Sequence, residues 1–211
     1  MVIGIIYKLV LLLVTIKSYI LSRKLGLSAQ NYLLIYLLTS LFTDVFSFSL
    51  YLIYPDSKNG LLYNLYDIFS ISFFYIYFSK VLTLGYKIWS SLVTFFAIIL
   101  ILIFTNFFNF NFDKNIGIIL LSFYIIHSLL WFYQKLSFFD ETPITNDPSF
   151  WISTSLLMWS CFFVFRVTPM FYFANEDEKF LQILRDGQNI INIIVYVMFY
   201  VALIKFKMNN S

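Results

Sequence analysis

The sequence predicts an all-α integral membrane protein, a single bundle of seven transmembrane helices over residues 1–211 with the N-terminus outside and the C-terminus in the cytoplasm. Three observations predict it. Hydrophobic residues make up 61% of the chain and charged residues 12%, where a soluble domain carries about 25% charge. The apolar residues gather into seven runs, each close to the ~20 residues a helix needs to cross hydrocarbon. The connections between runs are short, and Lys and Arg are shared unevenly between the two sides.

The runs lie at roughly 2–21, 32–53, 61–79, 88–107, 116–134, 149–172 and 181–204 on that length criterion. The first reads as a retained helix and not as a signal peptide, since Lys17 interrupts its far end and SYILSRKLG offers no small-x-small cleavage site. The fourth has almost no polar content and is expected to face lipid most completely. The longest connection, QKLSFFDETPITNDPS, ends the fifth helix with Pro143 and Pro148. No soluble domain, internal repeat or small-xxx-small glycine motif is visible.

Orientation follows from the basic residues. Arg23, Lys24, Lys80, Lys87, Lys135, Lys205 and Lys207 fall on one side; Lys58, Lys114 and Lys179 fall on the other, among Asp56, Asp113, Glu176, Asp177 and Glu178. The richer side is cytoplasmic. Lys8 and Lys17, inside the first run, are expected to snorkel to their own interfaces. The composition points to a multi-pass membrane protein, with the lipid bilayer as the first partner. The small net charge of +3 and scattered lysines give no footprint for nucleic acid.

Against this apolar background the polar residues stand out. A charge at the centre of a span costs about 2.5–3.5 kcal/mol on the insertion scale, so such residues face a protein partner or a wet cavity. Arg166 lies inside the sixth run, on one face with Ser155, Trp159 and Phe162. The seventh run aligns Arg185, Asn189 and Asn192, with Gln188 beside them. The second carries Tyr36, Ser40, Asp44, Ser47 and Tyr51 on a single stripe, and the third carries Asn64, Asp67 and Ser70. At 1.5 Å per residue, Asp67 lies about 5 Å outward of its helix centre, Arg166 about 8 Å and Asn189 about 6 Å, with Asp44 at the midplane. The expected site is therefore an outer-half polar cluster of Arg166, Asp67, Asp44, Asn64, Gln188, Asn189, Asn192 and Trp159. Pro169 is expected to kink the end of the sixth helix.

Two arrangements of the cluster are open at this point. Arg166 pairs with Asp67 or Asp44 and pins helices together, or it lines an outward-facing pocket for a carboxylate or another anion. Snorkelling of Arg166 to the interface is a third. Asp44 reads either as a protonatable group in a transport cycle or as a neutral acid hydrogen-bonded to Ser40 or a neighbouring helix. His127 reads as a hydrogen-bonded interior residue and Cys161 as a small core residue. A single Cys and a single His exclude an intrachain disulfide and support no metal site. No GxSxG, HExxH or phosphate-binding glycine loop is present, so neither an enzyme nor a cofactor is implied. The seventh span holds no lysine for a retinal Schiff base.

The segments LLYNLYDIFSISFFYIYF, PSFWISTSLLMWSCFFVF and DGQNIINIIVYVMFY resemble a family of uncharacterised seven-helix membrane proteins common in Bacteroidota. The matching positions are Leu62, Tyr63, Asn64 and Asp67; Phe150, Trp151 and Ile152; and Asn192, Ile193 and Ile194. Asp44 departs from the family, which more often has Glu there. The resemblance implies the inner membrane of a bacterium. Some members are similar to the seven-helix input domains of sensor kinases, which implies signalling. The expected function is sensory or signal-coupling, with a small anionic ligand or lipid bound in the outer half and a membrane or cytoplasmic partner to carry the signal. A transporter would instead need a polar route inward, for which Tyr36, Ser40, His127, Ser128, Ser155 and Gln134 are the candidates. A structural subunit of a larger complex would use the same polar residues to hold helices together.

Overall fold

The computed structural model of the chain describes residues 2–27, 32–54, 58–138, 143–172 and 178–209, with side chains described except at 167–172, 178 and 209. The acidic loop at 173–177 and the kink expected at Pro169 lie outside that description. Seven helices follow one another: α1 (Val2–Leu25), α2 (Leu33–Ile53), α3 (Gly60–Val81), α4 (Leu84–Phe104), α5 (Lys114–Ser137), α6 (Pro148–Tyr172) and α7 (Glu178–Asn209). Each is long and apolar enough to cross a membrane. In hydrocarbon a helix satisfies its own backbone, which is why apolar runs of this length fold this way.

The helix ends are set by side chains from neighbouring helices. α4 starts four residues earlier than its hydropathy suggests. Gln134 of α5 caps it, its Oε1 accepting from the Thr83 backbone N–H at 2.8 Å and from the Thr83 hydroxyl at 3.3 Å. α4 also stops early, at Phe104, whose carbonyl accepts from Asn115 Nδ2 at 2.9 Å. Asp113 caps α5 by accepting from the Asn115 N–H at 2.8 Å. Asp147 does the same for α6 through Ser149 at 2.9 Å, with Pro148 in the first helical position, where its missing N–H costs nothing. Lys135 pairs with Asp147 at 2.9 Å and ties the end of α5 to the start of α6.

Six helices close a ring in the order α1, α7, α6, α5, α3, α2 and back to α1. α4 stands outside it against α3 and α5. Its apolar stretch is 22% buried, the lowest of the seven, in agreement with the lipid-facing role expected for it. The contact of α4 with α5 includes a buried polar pin. His127 Nδ1 lies 2.9 Å from the Phe123 carbonyl and Nε2 lies 2.9 Å from the Ser90 hydroxyl. The carbonyl can only accept, so Nδ1 donates and Nε2 takes the Ser90 hydrogen. His127 is thus the hydrogen-bonded interior residue expected of it. α6 approaches α5 and α7 through the fully buried Ser153, Ser155 and Ser160. Small side chains are the usual means of close helix packing in lipid. Cys161, expected in the core, is exposed. Half of the ring interior is filled by aromatic packing: Phe74 meets Tyr36 at 4.8 Å and Tyr124 at 5.2 Å between ring centroids, both edge to face.

Candidate functional site

The other half of the ring is hollow. A cavity of about 710 Å³ lies between α1, α2, α3, α5, α6 and α7. Its wall follows α2 from Tyr36 to Tyr51 and α7 from Arg185 to Phe199. At 1.5 Å per residue each of these walls is about 20 Å long, against ~30 Å for a hydrocarbon core. The volume falls within the ~300–1,000 Å³ usual for small-molecule sites.

Seven of the eight residues expected in the polar cluster line this one space: Asp44, Asp67, Trp159, Arg166, Gln188, Asn189 and Asn192. The helical spacings explain why. Trp159 and Arg166 are two turns apart on α6, and Gln188 and Asn192 are one turn apart on α7, so each pair shares a face. Between those faces runs a bridge: Trp159 Nε1 donates to Asn192 Oδ1 at 3.1 Å, and Gln188 Nε2 donates to the same oxygen at 3.2 Å. Gln188 Oε1 is buried and has no hydrogen-bond partner among the described residues.

Asn64 is the exception and does not line the cavity. Its amide faces the α4–α5 connection, where Nδ2 donates to the Asn111 carbonyl at 3.1 Å and to the Asn109 carbonyl at 3.4 Å. Its Oδ1 accepts from the Asp113 N–H at 2.9 Å. One turn earlier, Gly60 donates its N–H to the Phe110 carbonyl at 3.0 Å. A Cβ at Gly60 would lie 2.1 Å from backbone atoms of Asn111 and Phe112, so only glycine fits this approach. Asn64 is therefore a brace for the loop that carries Phe112 to the cavity wall.

The charges decide between the arrangements left open by the sequence. Among the described residues Arg166 forms no ion pair within 4 Å, with Asp67, Asp44 or any other carboxylate. Asp44 is engaged elsewhere, accepting a hydrogen bond from the Tyr7 hydroxyl of α1. Asp67 is 7% exposed and accepts no hydrogen bond from the described residues. Tyr63 sits within electrostatic reach of Arg166, Asp67 and Asp44 together. A second guanidinium, Arg185, shares the cavity and acts on Arg166 as a like charge. At the deep end Tyr66 donates to the Tyr36 hydroxyl at 3.0 Å and lies 2.7 Å from the Ser40 hydroxyl.

Several lining residues escaped the reading of the sequence. Tyr7 and Lys8 bring α1 into the wall, and Lys8 lies over the Phe48 ring at 3.9 Å where snorkelling was expected. Tyr63, Tyr66 and Tyr196 were hidden among many aromatics. Arg185 carried a usable signal, the helical spacing it shares with Asn189 and Asn192. Of the residues offered for an inward transport route, only Tyr36 and Ser40 line the cavity. His127 and Gln134 are held in the packing contacts described above, and Ser155 bonds the Ile152 carbonyl at 2.7 Å.

No protein-family model, curated protein or solved structure matches the chain. What fold and site define together is a class: a seven-helix membrane bundle with a charged, aromatic-walled cavity in one half of its ring.

Proposed function

We propose that this protein binds a small anionic ligand in the cavity and couples its occupancy to a signalling partner. One observation carries the proposal: Arg166 lines a cavity of about 710 Å³ without a carboxylate partner among the described residues. A guanidinium removed from water needs a counter-charge, and the desolvation cost of leaving it bare is several kcal/mol. Arg185 and Lys8 raise the positive potential of the same space. An incoming carboxylate or phosphate supplies what the protein withholds, through the paired hydrogen bonds that guanidinium groups make with such anions.

Of the residues an inward route would use, Tyr36 and Ser40 line the cavity, while His127, Gln134 and Ser155 are engaged in helix contacts outside it. That favours a receptor over a transporter, which needs polar groups along the whole path. The orientation with the N-terminus outside turns the cavity towards the exterior of a bacterial inner membrane. α7 carries a long stretch of the wall and continues to the opposite side, where Lys205 donates to Asn146 at 2.9 Å. It is the natural route for a signal.

Binding of indole-3-propionate to the purified protein in nanodiscs, followed by calorimetry, tests the reading. Saturable binding that Arg166→Gln weakens by about tenfold or more is expected, the worth of one charge-assisted contact. Binding indifferent to that substitution overturns the proposal. Flux of the same solute into proteoliposomes would move the assignment to a transporter.

A further inference from the structure

The cavity offers more than an anion seat. It also holds a carboxyl group that no described residue satisfies. Asp67 is 7% exposed, lines the cavity and accepts no hydrogen bond among the described residues. An acceptor left unpaired away from bulk water costs about 1–3 kcal/mol, more when charged, so native structures seldom keep one empty. Asp67 shares the cavity with Arg166, a donor with no carboxylate partner among the described residues.

Resting on the reading that the cavity takes an anion, we infer that its ligand is an aromatic zwitterion of the amino-acid kind. Its carboxylate meets Arg166. Its ammonium, three donors and no acceptor, meets Asp67. The wall supplies the rest. Twelve of the 28 lining residues are aromatic, Trp159 and Phe163 among them with rings stacked at 4.5 Å. Such walls suit a planar apolar body, and aromatic faces also favour the ammonium. A simple cation is disfavoured, since Arg166, Arg185 and Lys8 repel it. A hydrocarbon tail is disfavoured by Ser40, Thr43, Ser47 and Asn189 along the same wall. The head of phosphatidylethanolamine shares the ammonium-and-anion chemistry, so the assay membrane is made of phosphatidylcholine alone, with phosphatidylethanolamine added in a separate arm.

Three probes on one skeleton separate the charges: tryptophan carries both, indole-3-propionate only the anion, and tryptamine only the cation. Tryptophan is expected to bind at least about tenfold more tightly than either of the others, as one added charged hydrogen bond implies. Asp67→Asn should bring tryptophan down to the level of indole-3-propionate, and should not weaken indole-3-propionate. Asp67→Ser provides a second variant with the same loss expected for tryptophan alone, with a melting curve to show that each variant is folded. Equal binding of tryptophan and indole-3-propionate, or no effect of either substitution, overturns the zwitterion and leaves the anion site standing. Failure of all three probes overturns both readings. Displacement of tryptophan by added phosphatidylethanolamine would overturn the free amino acid in favour of the lipid headgroup.

Discussion

The Tyr7 hydroxyl donates to the carboxyl group of Asp44, and this bond joins α1 to α2 along the wall of the cavity. It answers the question that a lone carboxyl group at the midplane of a helix poses. Asp44 is held by a neighbouring helix and is not the counter-ion of Arg166. Removing the donor leaves a half-buried acceptor on the cavity wall. Tyr7→Phe should therefore cost about 0.5–1.5 kcal/mol, the net worth of one hydrogen bond. Asp44→Asn keeps an acceptor oxygen in place and should cost less than Asp44→Leu. Thermal unfolding in detergent ranks the three. Equal melting of Tyr7→Phe and the parent would remove the bond from the account.

A second prediction concerns the brace at the start of α3. Gly60→Ala places a methyl group 2.1 Å from the backbone of Asn111 and Phe112. Backbone cannot yield as a side-chain tip can, so the loop must be displaced. Overpacking of this kind costs about 1–3 kcal/mol or more. Asn64→Leu has a similar size but loses the hydrogen bonds to Asn109, Asn111 and Asp113. Both variants should melt earlier than the parent. Because the loop carries Phe112 to the cavity, both should also weaken binding of the indole probes modestly.

The packing pins provide a contrast. Ser90→Ala removes the hydroxyl that bonds His127, and Gln134→Ala removes the cap on α4. Each should lower stability by about 0.5–2 kcal/mol, the usual worth of a cap or a buried hydrogen bond. Neither residue lines the cavity. Ligand affinity should stay within a factor of about two in both, a shift smaller than one hydrogen bond makes. A large loss of affinity in Gln134→Ala would reopen the inward route that a transporter requires.

Much of the fold was legible because lipid imposes a simple rule on length and hydropathy. Seven runs became seven helices. α1 and α7 run four and five residues past their apolar stretches, and α4 starts four residues early and stops three early, where Gln134 and Asn115 on another helix meet its ends. The face of a helix is harder to read. Lipid and protein interior are equally apolar, so nothing in SLLMWSCFFVF distinguishes the side that carries Cys161 from the side that carries Ser160. Polar residues deep in a span gave the cavity away, since Arg166, Gln188 and Asn192 have no place in hydrocarbon. Tyr7 and Lys8 gave no such sign, because a tyrosine and a lysine near a helix end suit an interface equally well. Asn64 and Asp67 share a face and were grouped together. Only the fold of the 105–113 connection separates the brace from the cavity residue.

The last prediction tests the orientation on which the outward-facing site depends. Cys161 is the single cysteine, and its exposed position on α6 makes Cys161→Ser a mild change. In that background one cysteine can be placed on each side of the bundle. Phe108, 71% exposed in the α4–α5 connection, marks the side that bears Gly60 and the charged part of the cavity. Thr145, in the 3₁₀ turn Ile144–Asn146 before α6, marks the side of Lys135 and Lys205. The proposed orientation, which rests on the excess of Lys and Arg on the second side, expects that side in the cytoplasm. In intact cells a membrane-impermeant maleimide should label Phe108→Cys and spare Thr145→Cys until the membrane is broken. The reverse pattern would turn the cavity towards the cytoplasm. The ligand would then be an intracellular zwitterion, while the geometry of Arg166 and Asp67 would still select the same chemistry.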